Sequence, residues 1–456
     1  MAAPTAEARR FGRSAGLLSA GVGTAGVLTY LFFALASHNL EPREYGEVVV
    51  LWSCVFVSIS VLYRPVEQLL SRSIAERRAR DEPIGSALRV AAAIQGGVAV
   101  ASGGAILILR GPLESGLFSG SAALYWVMFA AVLAFGASFF ARGFLAGERR
   151  FALLAALLVA ESASRAAFAL AVAVGVASGQ AAIALGIAAA PCVSLLVVPL
   201  AFGRRAAAVG TAAPAPPGDP AAGRLSIAHG GGFATAVLVI MLSEQALLNA
   251  GPLILRALQD AAAAGFIFNV LLLARAPLVV FQGVATSLLP HLTRLHARGG
   301  EAGQEAFRLS VTGTVRAVAA FTAAVAAVVA IAGPDLMQIA FGESFSYDRA
   351  GLLIVTAGMG LYLSATTLSQ ATVARGGVRV AAACWAGCAL AFVAWCLVPV
   401  LDDARRVQIG FTAAAGLLAA LLYRPHRRPG ERVADRVAPG SPEELEARLA
   451  IADEAG

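Results

Sequence analysis

Arg275 stands inside "IFNVLLLARAPLVVFQGVATSLLP" (267–290), an otherwise almost wholly apolar run. A guanidinium is permanently charged, and its planar fork of donors suits carboxylate or phosphate oxygens. Ten residues separate it from Gly265, about 15 Å of helix. If the run crosses a hydrocarbon core of about 30 Å, the charge lies near the middle. Centring an arginine there costs about 2.5–3.5 kcal/mol on insertion scales. The side chain therefore needs a wet cavity, where it could hold an anion, or a buried ion pair between helices.

Other polar residues interrupt apolar runs in the same way. Glu161 and Arg165 are spaced i, i+4 and share a helix face in the favourable acidic-first order. They either neutralise each other between helices or leave Arg165 to reach a ligand while Glu161 orients it. Arg64, in "YRPVEQ", precedes a proline that removes a helical N–H and favours a kink. It reads as a docking point at a flexible helix or as an arginine snorkelling to the interface. Glu244, Gln245 and Asn249 fall in one run and Asn269 in the next. Glu244 could pair with Arg275 or carry a coupling proton. The amides suit sugar hydroxyls or ordinary hydrogen bonds between helices.

The elements that must position these residues are transmembrane helices. The 456-residue chain is 58% hydrophobic and only 14% charged, against about 25% charged in soluble domains, and its mean hydropathy is +0.75. Runs near the 20 or so residues that cross a bilayer recur twelve times. They lie near 15–37, 47–70, 88–109, 123–146, 151–174, 181–202, 226–249, 262–289, 312–332, 350–373, 380–400 and 408–423. The first run has no convincing cleavage site before it and reads as retained.

All basic residues are arginines, and net charge is +7. With the N-terminus inside, Arg9, Arg10, Arg13, the Arg72–Arg89 loop, Arg149, Arg150, Arg204, Arg205, Arg224, Arg294, Arg298, Arg308, Arg375, Arg379 and the tail share the cytoplasmic side. Arg43, Arg110, Arg256, Arg349, Arg405 and Arg406 face out. This is the positive-inside pattern, and it makes membrane topology a better account of the basic charge than nucleic-acid binding.

The organisation expected is a cytoplasmic N-terminus (1–14), a six-helix lobe (15–202), an Ala/Pro/Gly-rich cytoplasmic linker (203–225), a second six-helix lobe (226–423) and a polar tail (424–456). In the tail, Ser441 and Glu444 could cap a short surface helix. Residues 44–73 align without gaps to 263–292, placing Gly46 opposite Gly265, Phe56 opposite Arg275 and Gly283 opposite Arg64. An even number of spans per half gives a parallel repeat about an axis along the membrane normal. The fold class expected is thus an all-α integral membrane protein of about twelve helices in two lobes, with both termini cytoplasmic.

Several chemistries are not indicated. There is no phosphate-binding G-x-x-x-x-G-K-[ST] loop. "HGGGF" (229–233) lacks the G-x-S-x-G that a hydrolase oxyanion loop would accompany. His291 and His296 have no further ligands nearby in sequence, so neither metal nor cofactor is expected. The five cysteines all lie in apolar segments and read as packing residues.

"RFGRSAGLLSAGVGTAGVLTYLFFALASHNLEPREYGEVVVLW", with its turn at Leu40, Pro42, Tyr45 and Gly46, resembles the opening of polysaccharide-export flippases of the multidrug/oligosaccharidyl-lipid/polysaccharide (MOP) superfamily. "ARGFLAGERRFALLA" (141–155) and "ATVARGGVRVAAA" (371–383) are similar to that family too, and the resemblance spans about 9–423. It implies a non-enzymatic transporter in the cell membrane. Its substrate would be a polyprenyl-pyrophosphate-linked oligosaccharide, moved from the inner to the outer leaflet. Its partners would be membrane lipid, the lipid-linked glycan, and the polymerase and glycosyltransferases of polysaccharide biosynthesis. Arg275, Arg64, Arg165, Glu161, Glu244, Asn249 and Asn269 would then line a cationic cavity. The rival readings are a cation-coupled exporter of the same superfamily and a glycan polymerase or ligase. The first apolar run (15–37) lacks the acidic residue such exporters often carry in their first helix. The outer loops are shorter than a polymerase would need.

Overall fold

The computed structural model describes residues 6–197, 227–275, 288, 292, 295, 300–345 and 347–427. The linker, the tail beyond 427 with its Ser441 cap, and His291 and His296 lie outside the described residues. Within them the chain is helical, with no strand.

Alanine, leucine and valine favour helix or tolerate it, and an apolar solvent leaves the backbone no hydrogen-bond partner but itself. The first lobe holds α1 (Ala6–Asn39), α2 (Pro42–Leu62), α3 (Arg64–Ala79), α4 (Gly85–Ile108), α5 (Ala122–Gly147), α6 (Phe151–Ala173) and α7 (Gly179–Ser194). The second holds α8 (Ile227–Leu258), α9 (Ala261–Arg275), α10 (Gly300–Phe341), α11 (Arg349–Ala374), α12 (Val378–Cys396) and α13 (Asp403–Arg427). Among the described residues ten stretches are long and apolar enough to cross a membrane, and α7 and α9 are shorter apolar helices. The chain is a multi-pass membrane protein. Each expected run contains a described helix, although the runs 181–202 and 262–289 extend beyond the described residues, and α2 and α3 form one span broken at Tyr63, just before Pro65. The glycine-rich "HGGGF" falls in the first turns of α8.

The two lobes repeat their packing. α1 lies along α6, and in the second lobe α8 lies along α12. Likewise α5 packs on α7 as α11 packs on α13. Small residues make these approaches close: a Cβ on Gly21 of α1 would reach to 2.5 Å from that of Ala155 on α6.

The lobes meet at the end that carries the loops near 40, 118, 259 and 342, which the arginine asymmetry assigns to the outside. Here α2 crosses α8, and the start of α9 lies against Gly46. Phe33 packs on Phe268 at 4.7 Å between ring centroids, Tyr45 on Phe345 at 5.2 Å, and Tyr30 on Phe341 at 5.5 Å. The Tyr45 hydroxyl donates to Asn269 Oδ1. On the opposite seam, Arg256 donates from Nε to the Leu117 carbonyl at 2.9 Å and from Nη2 to Ser119 Oγ at 2.8 Å.

Several arginines on that side are paired. Arg406 is buried, pairs with Asp403 and donates to the Val398 carbonyl at 3.1 Å. Arg405 pairs with Asp402 at 3.5 Å, and Arg110 with Glu114 at 2.9 Å.

Candidate functional site

Helix length sets the level of the central polar residues. Glu244 lies fourteen residues before the outer end of α8 at Leu258. Tyr362 lies thirteen residues after the outer start of α11 at Arg349. Arg275 lies fourteen residues after the start of α9 at Ala261. All three therefore sit about 20 Å from the outer ends of their helices. For Arg275 this is deeper than the sequence count from Gly265 places it, because α9 begins four residues earlier. If α9 starts at the outer surface of a core of about 30 Å, the Arg275 backbone lies past its middle.

In the second lobe, the Tyr362 hydroxyl donates to Glu244 Oε1 at 2.8 Å. Tyr362 is buried, with Trp385 edge-on at 5.9 Å and Phe411 at 6.3 Å between centroids. Arg275 acts electrostatically on the same tyrosine. Among the described residues Arg275 has no ion pair, and its Nε and Nη2 are buried with no hydrogen-bond partner. Glu244 is thus held by a tyrosine rather than by Arg275.

Arg64 belongs to the first lobe, at the start of α3 below the break at Tyr63. It is exposed, yet it acts electrostatically on Tyr362 across the lobe boundary as well as on Glu67 in its own helix. Gly143 and Gly147 of α5 let α3 lie close against that helix, since a Cβ at either would come within 3 Å of α3 backbone oxygens.

Deeper in the first lobe, Glu161 receives two arginines. Arg142 Nη2 approaches Oε2 at 2.5 Å and Arg165 Nη1 approaches Oε1 at 3.3 Å, while Ser138 donates to Oε2 at 3.3 Å. Arg165 also donates to Ser162 at 3.1 Å and Thr29 at 3.4 Å, and it lies 4.8 Å from the centroid of the Trp52 ring. Arg142 stacks on Phe139 at 4.5 Å. Glu161 and Arg165 are nearly inaccessible. Glu67, which feels Arg142, Arg64 and Glu161, links this cluster to the cleft.

The amides go elsewhere. Asn249 donates to Gln245 at 2.9 Å within α8, both buried. Asn269 is fully buried at the lobe junction with Tyr45. The structure thus hydrogen-bonds Glu244 to Tyr362, groups Glu161 with Arg165 in the first lobe, and gives Asn249 and Asn269 hydrogen bonds within α8 and at the lobe junction, while Arg275 and Arg64 form no ion pair with these residues among the described ones. Arg142 and Tyr362 were not singled out from sequence. Arg142 sits one turn inside the end of α5, so "ARGFLAGERR" contains a helix end as well as a hairpin. Tyr362 is a lone aromatic among the small residues of α11.

Among the described residues, no group of three or more His, Cys, Asp or Glu could hold a metal ion. What the arrangement offers is fixed positive charge in an apolar surround, with an unpaired donor set.

No protein-family model and no curated protein matches the chain. Solved structures do. The chain is similar to a multidrug resistance MATE family transporter of the MOP superfamily in its inward-facing conformation, at 13% identity over 88% of this chain and 94% of that one, with a TM-score of 0.66. It is similar to a mutant of the Vibrio cholerae MATE transporter VcmN at 14% identity over 92% and 95%, TM-score 0.62. Against an outward-facing multidrug resistance MATE transporter the identity is 17% over 91% and 94%, TM-score 0.58. At these identities the likeness is one of fold. The chain has the two-lobed MATE-like fold over nearly its whole length.

Proposed function

We propose that this protein is a flippase for polyprenyl-pyrophosphate-linked oligosaccharide, working by alternating access of its two lobes. The observation that carries the reading is Arg275. Its Nε and Nη2 are buried and unpartnered, and Arg64 of the opposite lobe acts on the same tyrosine. An unpaired buried guanidinium is unfavourable unless an anion completes it. A pyrophosphate offers bidentate oxygens to one arginine or to both. The sugars would occupy the hydrated cleft and the polyprenyl tail would stay in lipid between the lobes. Closure at the outer end, with the higher TM-score to an inward-facing transporter than to an outward-facing one, suits a state that loads from the cytoplasm.

The likeness to multidrug resistance MATE transporters supports a second reading, cation-coupled export of small molecules. Cationic side chains at the cleft favour an anionic cargo over the cationic one that such an exporter could carry. The membrane potential could assist, at about 2.3 kcal/mol per charge per 100 mV, since it drives an anion outward from a negative interior.

The test is a flipping assay in proteoliposomes with a fluorescent lipid-linked oligosaccharide. Wild type should flip it, while Arg275→Ala at equal incorporation should not and Arg275→Lys should do so poorly. Wild-type flipping by both variants would remove the phosphate-holding role. In cells, loss of the protein should leave lipid-linked glycan on the cytoplasmic face. Single repeat units outside would instead indicate a polymerase.

A further inference from the structure

Glu161 needs one counter-charge, and Arg142 supplies it at 2.5 Å. Arg165 is a second cation on the same carboxylate, at 3.3 Å, and it is buried. A surplus buried charge is costly unless further contacts hold it. Those contacts lead out of the cluster. Arg165 donates to Ser162 at 3.1 Å and to Thr29 of α1 at 3.4 Å, and its guanidinium lies over the Trp52 ring of α2 at 4.8 Å. Trp52 meets Phe33 of α1 edge-on, with centroids 5.5 Å apart and 80° between the planes. Phe33, fully buried, meets Phe268 of the other lobe at 4.7 Å. Thr29 lies four residues before Phe33, one turn along the same face of α1. An unbroken set of contacts thus joins the ion cluster to the seam between the lobes. Helix rise puts its members at similar depth. Phe33, Phe268, Arg165 and Trp52 lie about 9, 10, 12 and 15 Å from the outer ends of α1, α9, α6 and α2.

We propose that Trp52 is a positioning residue for the outer closure: Arg165 fixes its ring, the ring backs Phe33, and Phe33 keeps its seat on Phe268. The ion cluster thereby acts on access to the cleft without touching cargo, and the proposal holds whatever the cargo is. Arginine suits the task. Hydrogen bonds to Glu161, Ser162 and Thr29 set the guanidinium plane, and the indole face attracts a cation more strongly than other aromatic rings do. Transporters of this fold occur in inward-facing and outward-facing conformations. Opening the outer end parts Phe33 from Phe268, so an intact stack biases the chain toward outer closure.

The test is the rate at which a membrane-impermeant maleimide labels Ala262→Cys, beside the Gly46 contact, in the full-length cysteine-free chain in proteoliposomes. The backgrounds compared are wild type, Arg165→Gln, Trp52→Leu and the double variant. Arg165→Gln leaves Glu161 and Arg142 as a one-to-one pair, and melting temperatures in detergent check that each variant folds. Each single change should raise labelling about five- to tenfold, the range of a desolvated cation–π contact between packed neighbours. The double variant should label within about twofold of the faster single variant, because both changes remove one link. A merely structural role would lower the melting temperature and leave labelling alone. Wild-type labelling in either folded single variant would overturn the proposal. So would effects that multiply in the double variant, which would mean that Arg165 and Trp52 act on the closure separately. Should Trp52→Leu fail to fold, Trp52→Phe keeps an aromatic ring and completes the same cycle with Arg165→Gln.

Discussion

Gly46 and Gly265, equivalent positions in the two halves of the chain, touch each other. A Cβ on Gly265 would lie 3.0 Å from the Gly46 Cα, and a Cβ on Gly46 would overlap the carbonyl oxygen of Ala261. Equivalent residues of a two-fold pair meet only near the axis, so the pseudo-two-fold axis passes through this contact and the outer closure is built around it.

Because the obstacle is backbone rather than a flexible side chain, Gly46→Ala should force the outer ends of α2 and α9 apart. Overpacking of this kind costs about 1–3 kcal/mol, which would raise the outward-open population roughly five- to 150-fold. The measurement is labelling of Ala262→Cys, in a cysteine-free background, by a membrane-impermeant maleimide. Labelling should rise in Gly46→Ala. An unchanged rate would show that the contact does not gate access.

Arg256 holds the other seam by two hydrogen bonds to the segment ending in Ser119. Arg256→Ala should loosen the outer closure by about 1 kcal/mol, the usual worth of a partly exposed hydrogen bond. Arg256→Lys should not restore it, because an ammonium lacks the fork that reaches a carbonyl and a hydroxyl together. Distances between spin labels on the outer ends of α5 and α8 would report the change.

Glu161 compensates Arg142 and Arg165. Glu161→Gln takes the ion-pair partner from the buried Arg165 and from the partly buried Arg142, and breaking a buried pair costs about 3–5 kcal/mol. Melting in detergent should fall sharply. Replacing Arg142 and Arg165 by methionine along with Glu161→Gln should recover much of the loss, since the two arginines no longer need a counter-charge and Glu67 keeps Arg64.

Arg149 adopts φ +55° in the tight turn between α5 and α6. A left-handed conformation costs a non-glycine residue about 1–2 kcal/mol. Arg149→Gly should therefore raise the melting temperature, while the β-branched Arg149→Val should lower it. Six-span topology of the first lobe should survive either change, because neighbouring arginines keep the inner bias.

The sequence carried the lobes, the kink and the repeat. Gly46 was set opposite Gly265 by a gap-free alignment, and the break at Tyr63 follows from Pro65. Glu161 and Arg165 were legible as a pair because i, i+4 spacing lies within one helix. Arg142 was not, because it reaches Glu161 from a neighbouring helix and the register between helices leaves no spacing in sequence. Tyr362 escaped for the same reason. The apolar window 312–332 likewise understated α10, which runs Gly300–Phe341. Glu301, Glu305 and Arg308 continue the helix beyond the apolar stretch. Hydropathy reports where lipid lies, and hydrogen bonding decides where a helix stops.

Forty-two residues make α10 about 63 Å long, twice the thickness of the hydrocarbon core. Its outer end is pinned against α1 by Tyr30 and Phe341, and Gly300 is the far tip. If the lobes rock, the stretch from Gly300 to the internal Pro334 would act as a lever arm turning about that pinned end. Ten degrees of rocking about that end would sweep the tip through about 11 Å for a rod of this length, a displacement that a single pair of fluorophores could follow turnover by turnover.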